Sequence, residues 1–159
     1  MPTLYILCGP SACGKTTWAM HYMEEHASED IRYVSRDEIR YSLLQPDDDY
    51  FSREKEVFRE FAGTITQTLV DGFDCIADAT HLNEFSRRKL TQAIDMHFTD
   101  YEIVYVVVSL GYDECIKRNA AREGRACAPE AAIARMFRNF TFPSLDEDER
   151  AREVLEVTV

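Results

Sequence analysis

Short apolar runs alternate with longer amphipathic stretches along the whole chain. The runs at 3–8, 31–35, 74–78, 102–109 and 154–159 predict strands. The stretches at 15–26, 36–44, 53–71, 84–98, 112–122 and 130–140 predict helices. Within 53–71, Val57, Phe58, Phe61, Ala62, Ile65 and Leu69 recur at helical spacing and mark one buried face. Ile103-Val104-Tyr105-Val106-Val107-Val108 is a continuous, mostly β-branched run, as a parallel strand covered on both faces requires. The polar, proline-broken segment 45–52 reads as a loop. Strands alternating with helices predict an open α/β sheet with right-handed crossovers. Ligands of such sheets bind outside the carboxyl ends of the strands. Motifs beginning at Gly9, Arg36 and Asp78 each follow a predicted strand.

Composition sets the bounds. The 159 residues, 45% hydrophobic and 30% charged, suit one soluble domain spanning 1–159. No apolar run approaches the ~20 residues needed to cross a bilayer, and the N-terminus lacks a signal-peptide pattern. A cytoplasmic protein with no membrane partner is expected. The five cysteines form no C-x-x-C pair and no zinc-like spacing, so free thiols are expected. Cys8 and Cys75 read as core residues, and Cys13, inside the P-loop, as a variable loop position or an oxidation-sensitive one. The net charge of −11 argues against a sequence-independent grip on duplex DNA. The charge is uneven, however: 117–138 holds six Lys/Arg against two Asp/Glu, and 144–159 holds two Arg against six Asp/Glu. A basic segment in an acidic chain points to local phosphate handling.

The chemistry starts at Gly9-Pro10-Ser11-Ala12-Cys13-Gly14-Lys15-Thr16. This matches G-x-x-x-x-G-K-[ST] between a predicted strand and a predicted helix, the context of a phosphate-binding P-loop. Glycines at both ends let the backbone wrap with its N–H groups inward, and the helix N-terminus adds partial positive charge. Lys15 supplies a full charge for the outer phosphates, and Thr16 offers its hydroxyl to Mg²⁺. Residues 9–16 together with Thr17 therefore form the expected site for ATP, or another nucleoside triphosphate, with Mg²⁺.

The second motif is Ser35-Arg36-Asp37-Glu38-Ile39-Arg40. Ser35 and Glu38 have capping-box spacing, and Asp37 in a first helical turn complements the macrodipole. The alternative is catalytic: Asp37 and Arg40 share a helix face, so the carboxylate can accept a proton from an acceptor hydroxyl while the arginine holds that acceptor's phosphate. In the third motif, Asp78-Ala79-Thr80-His81-Leu82-Asn83, Asp78 ends a strand. It would contact Mg²⁺ through water or an acceptor hydroxyl, or simply close a turn. Asn83 reads as a helix N-cap, and His81 as a loop residue rather than a catalyst. Downstream, Arg118, Arg122 and Arg125 fall on one helical face, and a cis arginine can stabilise phosphoryl transfer. Gly124 and Pro129 bracket a candidate lid at about 122–130.

Gly14-Lys15-Thr16-Thr17-Trp18, Arg36-Asp37-Glu38-Ile39-Arg40, Asp78-Ala79-Thr80-His81-Leu82-Asn83 and Lys117-Arg118-Asn119-x-x-Arg122 occur in this order. In them the chain resembles the polynucleotide 5′-hydroxyl kinase family and its bacterial predicted-kinase relatives. The resemblance implies a P-loop kinase fold with five parallel strands in the order 2-3-1-4-5, helices on both faces and a lid. It implies Asp37 as general base, Arg40 on the acceptor's 3′-phosphate and Arg122 on the donor phosphates. The chain departs from the family's phage-type pattern by one extra residue between Asp78 and Thr80 and by a lid one residue longer. The favoured expectation is transfer of the ATP γ-phosphoryl group to the 5′-hydroxyl of RNA or DNA. Lys15, Asp37 and Arg122 are the expected catalytic residues. Arg118 joins the nucleotide set, Asp37, Arg40 and Asp78 the acceptor set, and Thr16 holds the metal. The rival is a kinase of a sugar, nucleoside or antibiotic, which the acidic net charge favours. A nucleotide-binding switch is disfavoured, because the chain has no N-K-x-D motif and no apolar strand ending in Asp-Glu. A toxin-like or regulatory phosphotransferase stays open.

Overall fold

The computed structural model describes residues 1–124 and 127–158. In order, the elements are β1 (Thr3–Cys8), α1 (Lys15–Glu25), β2 (Ile31–Ser35), α2 (Arg36–Leu43), α3 (Glu54–Val70), β3 (Asp74–Asp78), α4 (Glu84–Asp95), β4 (Glu102–Val108), α5 (Tyr112–Ala120), α6 (Glu130–Asn139), a 3₁₀ turn (Leu145–Glu147) and β5 (Ala151–Val157). The strands form one sheet, β2-β3-β1-β4-β5, parallel at every pairing. This is the expected order.

The side-chain period of two sorts the strands between two cores. Leu4, Ile6 and Cys8 of β1, with Ile103, Tyr105 and Val107 of β4, pack with Phe61, Ile65 and Leu69 of α3 and Leu90 and Ile94 of α4. Tyr5 and Leu7, with Val104, Val106 and Val108, pack on the other face with Ala19, Trp18 and Tyr22 of α1. Both faces of the middle strands are thus dry, which is why β4 needs its unbroken apolar run.

Differences from the sequence expectations concentrate at element ends. β5 begins three residues before the expected 154. Arg152 and Glu153 make its start look like loop, but at a sheet edge they face solvent, and Arg152 pairs with Glu102 at 2.7 Å. A bulge between Ile103 and Val104 takes up the extra residue. Helix α4 stops at Asp95 rather than 98, because the His97 and Phe98 N–H groups both turn back to the Ile94 carbonyl. Helix α5 stops at Ala120 rather than 122. There the Asn119 side chain reaches forward to the Ala128 backbone, receiving its N–H at 2.9 Å and donating to its carbonyl at 2.8 Å. Asn83 is the N-cap of α4, as expected, and forms a reciprocal capping box with Ser86.

The expectation of five free thiols is corrected. Cys13 of the P-loop and Cys115 of α5 form a disulfide with their Cα atoms 5.4 Å apart. They lie 102 residues apart in sequence, so no local spacing advertises the pair. Cys8, Cys75 and Cys127 are free. Burial pushes the Cys8 thiol up to about 12 and raises Cys75 as well, which leaves both unreactive. Among the described residues, no helix is long and apolar enough to cross a membrane.

The most deeply buried charged residue among those described is an arginine. Arg87 of α4 is 1% exposed. It forms a two-pronged pair with Glu147 at 2.9 and 2.7 Å, and donates to the carbonyls of His81 and Thr141. The unanticipated 3₁₀ turn exists at the place that delivers Glu147. Removing one partner of a buried pair leaves the other charge stranded. Glu147→Ala should therefore lower unfolding free energy by about 3–5 kcal/mol. Glu102→Ala, at the exposed pair, should cost less than about 1 kcal/mol. Urea unfolding of both variants checks the contrast.

Candidate active site

The first turn after β1 requires glycine at two points. Gly9 passes so close to β4 that a Cβ there would lie 2.8 Å from the Val108 carbonyl oxygen. Its N–H donates to the Thr80 carbonyl at 2.8 Å, which stitches the P-loop to the loop after β3. Gly14 holds φ at 98°, in the left-handed region, as the N-cap of α1. The Lys15 side chain folds back over the loop and donates to the carbonyls of Gly9 at 2.9 Å and Pro10 at 2.7 Å. Burial lowers its pKa, while the carboxylates of Asp78 and Asp37 act in the opposite direction. The ammonium therefore sits desolvated against neutral oxygens.

Asp78 ends β3 directly beside Ser35 at the end of β2. Its carboxylate accepts from the Thr16 hydroxyl at 2.9 Å and from the Tyr33 hydroxyl. Burial and the Asp78 charge raise the Tyr33 pKa, so the phenol keeps its proton and remains a donor. Thr16 and Asp78 offer only oxygens, the donors a hard cation such as Mg²⁺ prefers. His81, three residues on, is buried. Its Nδ1 lies 2.6 Å from the Leu7 carbonyl, which can only accept, so that nitrogen carries the proton. Burial holds His81 neutral by lowering its pKa to about 3. Its place is under the site, as a strut between β1 and the β3–α4 loop.

Asp37 stands in the first turn of α2, where Ser35 receives the Glu38 N–H at 3.2 Å. Arg40, one turn on, is buried. It donates to Asp37 at 2.5 Å and grips Glu54 of α3 with two parallel bonds at 2.9 and 2.7 Å. The rings of Tyr50 and Phe51, from the 45–52 loop, lie 5.0 and 5.4 Å from its guanidinium carbon. Desolvation by itself would lower the Arg40 pKa, but the hydrogen bonds and charges of Glu54 and Asp37 outweigh it and raise it. Arg36 touches Glu54 more loosely, at 3.3 Å, and its buried Nε has no hydrogen-bond partner among the described residues.

These groups converge on one cavity of about 220 Å³ at the carboxyl ends of the strands. Ser11, Ala12, Gly14, Lys15, Thr16 and Thr17 line it from the P-loop; Asp37, Arg40, Asp78 and Arg122 face them. Gly9 and Pro10 contribute carbonyls behind Lys15, and the Cys13 side chain turns away to Cys115. Arg118 pairs with Glu114 at 3.5 Å and is not among the lining residues. Arg125, the third expected lid arginine, lies outside the described residues. Sequence reasoning passed over Tyr33, Arg36, Tyr50, Phe51, Glu54 and Met136 as site residues. Arg36 had a readable signal, since it directly precedes Asp37 at the end of β2. The others arrive through tertiary packing.

The chain matches the family model described as "AAA domain" over residues 4–143. It belongs to that family. No curated protein matches the chain. Its solved structural neighbours carry the P-loop kinase fold. They include an unliganded sugar kinase from Janibacter sp., 14% identical with a TM-score of 0.68, which pairs 99% of this chain with 86% of that one. Kti12 from Chaetomium thermophilum, solved with ADP-AlF3, is 14% identical with a TM-score of 0.70, over 98% of this chain and 88% of that one. The Pnkp1/Rnl/Hen1 RNA repair complex contains a chain 23% identical with a TM-score of 0.63, over 87% of this chain but only 43% of that one. The shared property is the fold, across proteins of different description.

The His81 strut makes stability pH-dependent. The neutral ring is the folded form, and the unfolded ring titrates near 6.5. The unfolded state therefore binds the extra proton between about 6.5 and 3, so this contribution is complete above about 6.5 and is lost as pH falls toward 3. At pH 5 the loss should be about 2 kcal/mol relative to pH 7.5. His81→Asn tolerates the positive φ of 43° at this position. It should remove that part of the slope in urea unfolding across pH 5–7.5.

Proposed function

We propose that the protein is an ATP-dependent phosphotransferase that moves the γ-phosphoryl group to a hydroxyl of a small molecule. The observation that carries this reading is the convergence of Lys15, the Thr16–Asp78 pair and Asp37 on one cavity. Lys15 and the loop N–H groups would receive the β- and γ-phosphates, exchanging carbonyl partners for anionic oxygens. Thr16, with Asp78 behind it, would hold Mg²⁺, which when bound neutralises phosphate charge. Asp37 would take the proton of the acceptor hydroxyl, and Arg122 would face the charge that develops on the transferred group.

The state of Arg40 supports a small acceptor over a nucleic acid. A phosphate-reading arginine offers its fork to the ligand. Here the fork is spent on Glu54, and a third donor is spent on Asp37. Arg40 then acts by aiming the Asp37 carboxylate. The acidic net charge of −11 points the same way. The polynucleotide 5′-hydroxyl reading rests on the Arg36-Asp37-x-x-Arg40 motif and on the 23% identity to the RNA-repair chain.

One kinetic screen separates the two. ATP is supplied with sugars, nucleosides, nucleoside 3′-phosphates or a short 5′-hydroxyl oligonucleotide, and label transfer is measured. The expected result is transfer to a small acceptor with no gain from a 3′-phosphate. Lys15→Ala should abolish transfer in a folded chain. Asp37→Asn should lower kcat by roughly 10²–10⁴-fold with nucleotide binding retained. Arg40→Ala should lower kcat with little change in acceptor KM. Strong preference for the 3′-phosphorylated acceptor, lost in Arg40→Ala through a raised KM, would instead establish the polynucleotide reading.

A further inference from the structure

Helices α3 and α4 lie on the same face of the sheet, and their outer sides enclose an open groove of about 740 Å³. No residue that lines the P-loop cavity lines this one. Its apolar part is formed by Phe58, Ala62, Gly63 and Val70 of α3, Ala93 of α4 and Met96 just after α4. Val70 is 49% exposed and Met96 79%, so two large apolar side chains stand uncovered along it. Apolar patches rimmed by polar groups mark sites of interaction. Gly63 adds an independent sign. A glycine inside a helix weakens it relative to alanine. A Cβ here would meet nothing within 4 Å, so no packing within the chain calls for the glycine. The space it leaves open is in the groove.

The rim carries one sign of charge. Lys55 and Arg59 of α3, Lys89 of α4 and His97 line the groove, and no Asp or Glu does. This occurs in a chain with 29 Asp/Glu against 18 Lys/Arg. Arg53 and Arg88 nearby are paired with Glu56 and Glu84. Among the described residues, Lys55, Arg59 and Lys89 have no salt bridge, and the Lys89 ammonium lies 4.5 Å from the Phe58 ring centroid. We propose that this groove is a docking site for an acidic, amphipathic helix of a partner protein. A third helix packs its ridges into the furrow between two others, with anchors at i, i+3, i+4 and i+7. From Lys55 to Val70 the seat is about 22 Å long, or about four helical turns. The partner's apolar side chains cover Phe58, Val70, Ala93 and Met96, and its backbone passes closest at Gly63. Its carboxylates meet the rim. Lys55 and Arg59 flank Phe58 in the sequence of α3 and Lys89 lies over that ring, so the full positive charges gather at one end and set the helix's direction. A second copy of this chain fits poorly, because groove against groove sets cation against cation. An anionic membrane also fits poorly, because the groove is concave and the chain carries a net charge of −11.

The test uses the full chain and a fluorescein-labelled synthetic helix of about 16 residues. The probe carries Leu at the anchor positions and Glu beside them, and its control has every Glu replaced by Lys. Fluorescence anisotropy should show the acidic helix binding with a Kd below about 100 μM, at least about tenfold tighter than the basic one. Gly63→Trp fills the groove, and Lys55→Glu with Arg59→Glu reverses its rim. Each should weaken the acidic helix at least about tenfold, with the fold checked by circular dichroism. Gly63→Ala should raise the melting temperature by about 2–4 °C, since the chain itself does not need the glycine. No binding of the acidic helix up to about 1 mM would overturn the proposal. So would equal affinity for the two helices, full affinity in a folded Gly63→Trp chain or in the charge-reversed one, or a lower melting temperature for Gly63→Ala. Binding to phosphatidylserine vesicles that Gly63→Trp abolishes would overturn it in favour of a membrane surface. A dimer in sedimentation equilibrium that Gly63→Trp abolishes would overturn it in favour of a second copy.

Discussion

A buried charge must find a partner, and the buried cations among the described residues, Lys15, Arg40 and Arg87, find different ones. Arg87 is neutralised by Glu147 and by two backbone carbonyls. Arg40 is neutralised by Glu54 and Asp37. Among the described residues, Lys15 hydrogen-bonds only to neutral carbonyls, those of Gly9 and Pro10, with Asp78 and Asp37 acting on it at longer range. Stranding an ammonium this way is unfavourable, as the lowered Lys15 pKa registers. It also means that Lys15 has the most to gain from an incoming anion. The first two are closed ion pairs; Lys15 instead sits at the mouth of the P-loop with the Asp78 and Asp37 carboxylates acting on it through space.

The sheet explains why these groups meet. Parallel strands all end on one edge, and the register sets Ser35 beside Asp78 and Gly9 beside the loop that follows β3. Chemistry-bearing residues placed after three different strands therefore fall within one cavity, although Gly9 and Asp78 are far apart in sequence. Most of this was legible beforehand. The strand and helix pattern follows from period-two and period-3.6 burial, and the P-loop follows from glycines whose need for close approach is physical. The position of Asp78 opposite Thr16 follows from strand order alone. The edge strand was the hardest to bound, because a strand that faces solvent carries polar residues and loses its apolar signature.

What was not legible came from side chains that meet through packing. Arg40 and Asp37 are one helical turn apart, so their contact is local and readable. Glu54 belongs to a different helix, and Tyr50 and Phe51 to an irregular loop whose path no periodicity describes. The arginine therefore read as available for a ligand, whereas the structure surrounds it with carboxylates and rings. Arg118 shows the reverse error of a face argument. Helical spacing placed it with Arg122, but α5 ends before Arg122, and Arg118 turns to Glu114. The Cys13–Cys115 pair lies further still from anything a spacing rule detects.

Those packing contacts decide how the site can discriminate among acceptors. The Asp37–Arg40–Glu54 chain links α2 to α3, and Arg36 joins it through Glu54, so two carboxylates meet two guanidiniums. An acceptor with a phosphate beside its hydroxyl would have to displace Glu54 from Arg40 or bind elsewhere, and either course meets the Glu54 carboxylate. On the proposed reading, an uncharged hydroxyl meets no such obstacle, and Asp37 is about half exposed. The remaining cation on that wall is Arg36, loosely held by Glu54 and with its Nε unsatisfied. Arg36 is therefore the less committed guanidinium on that wall, and an anionic group entering the cavity has less to displace there than at Arg40.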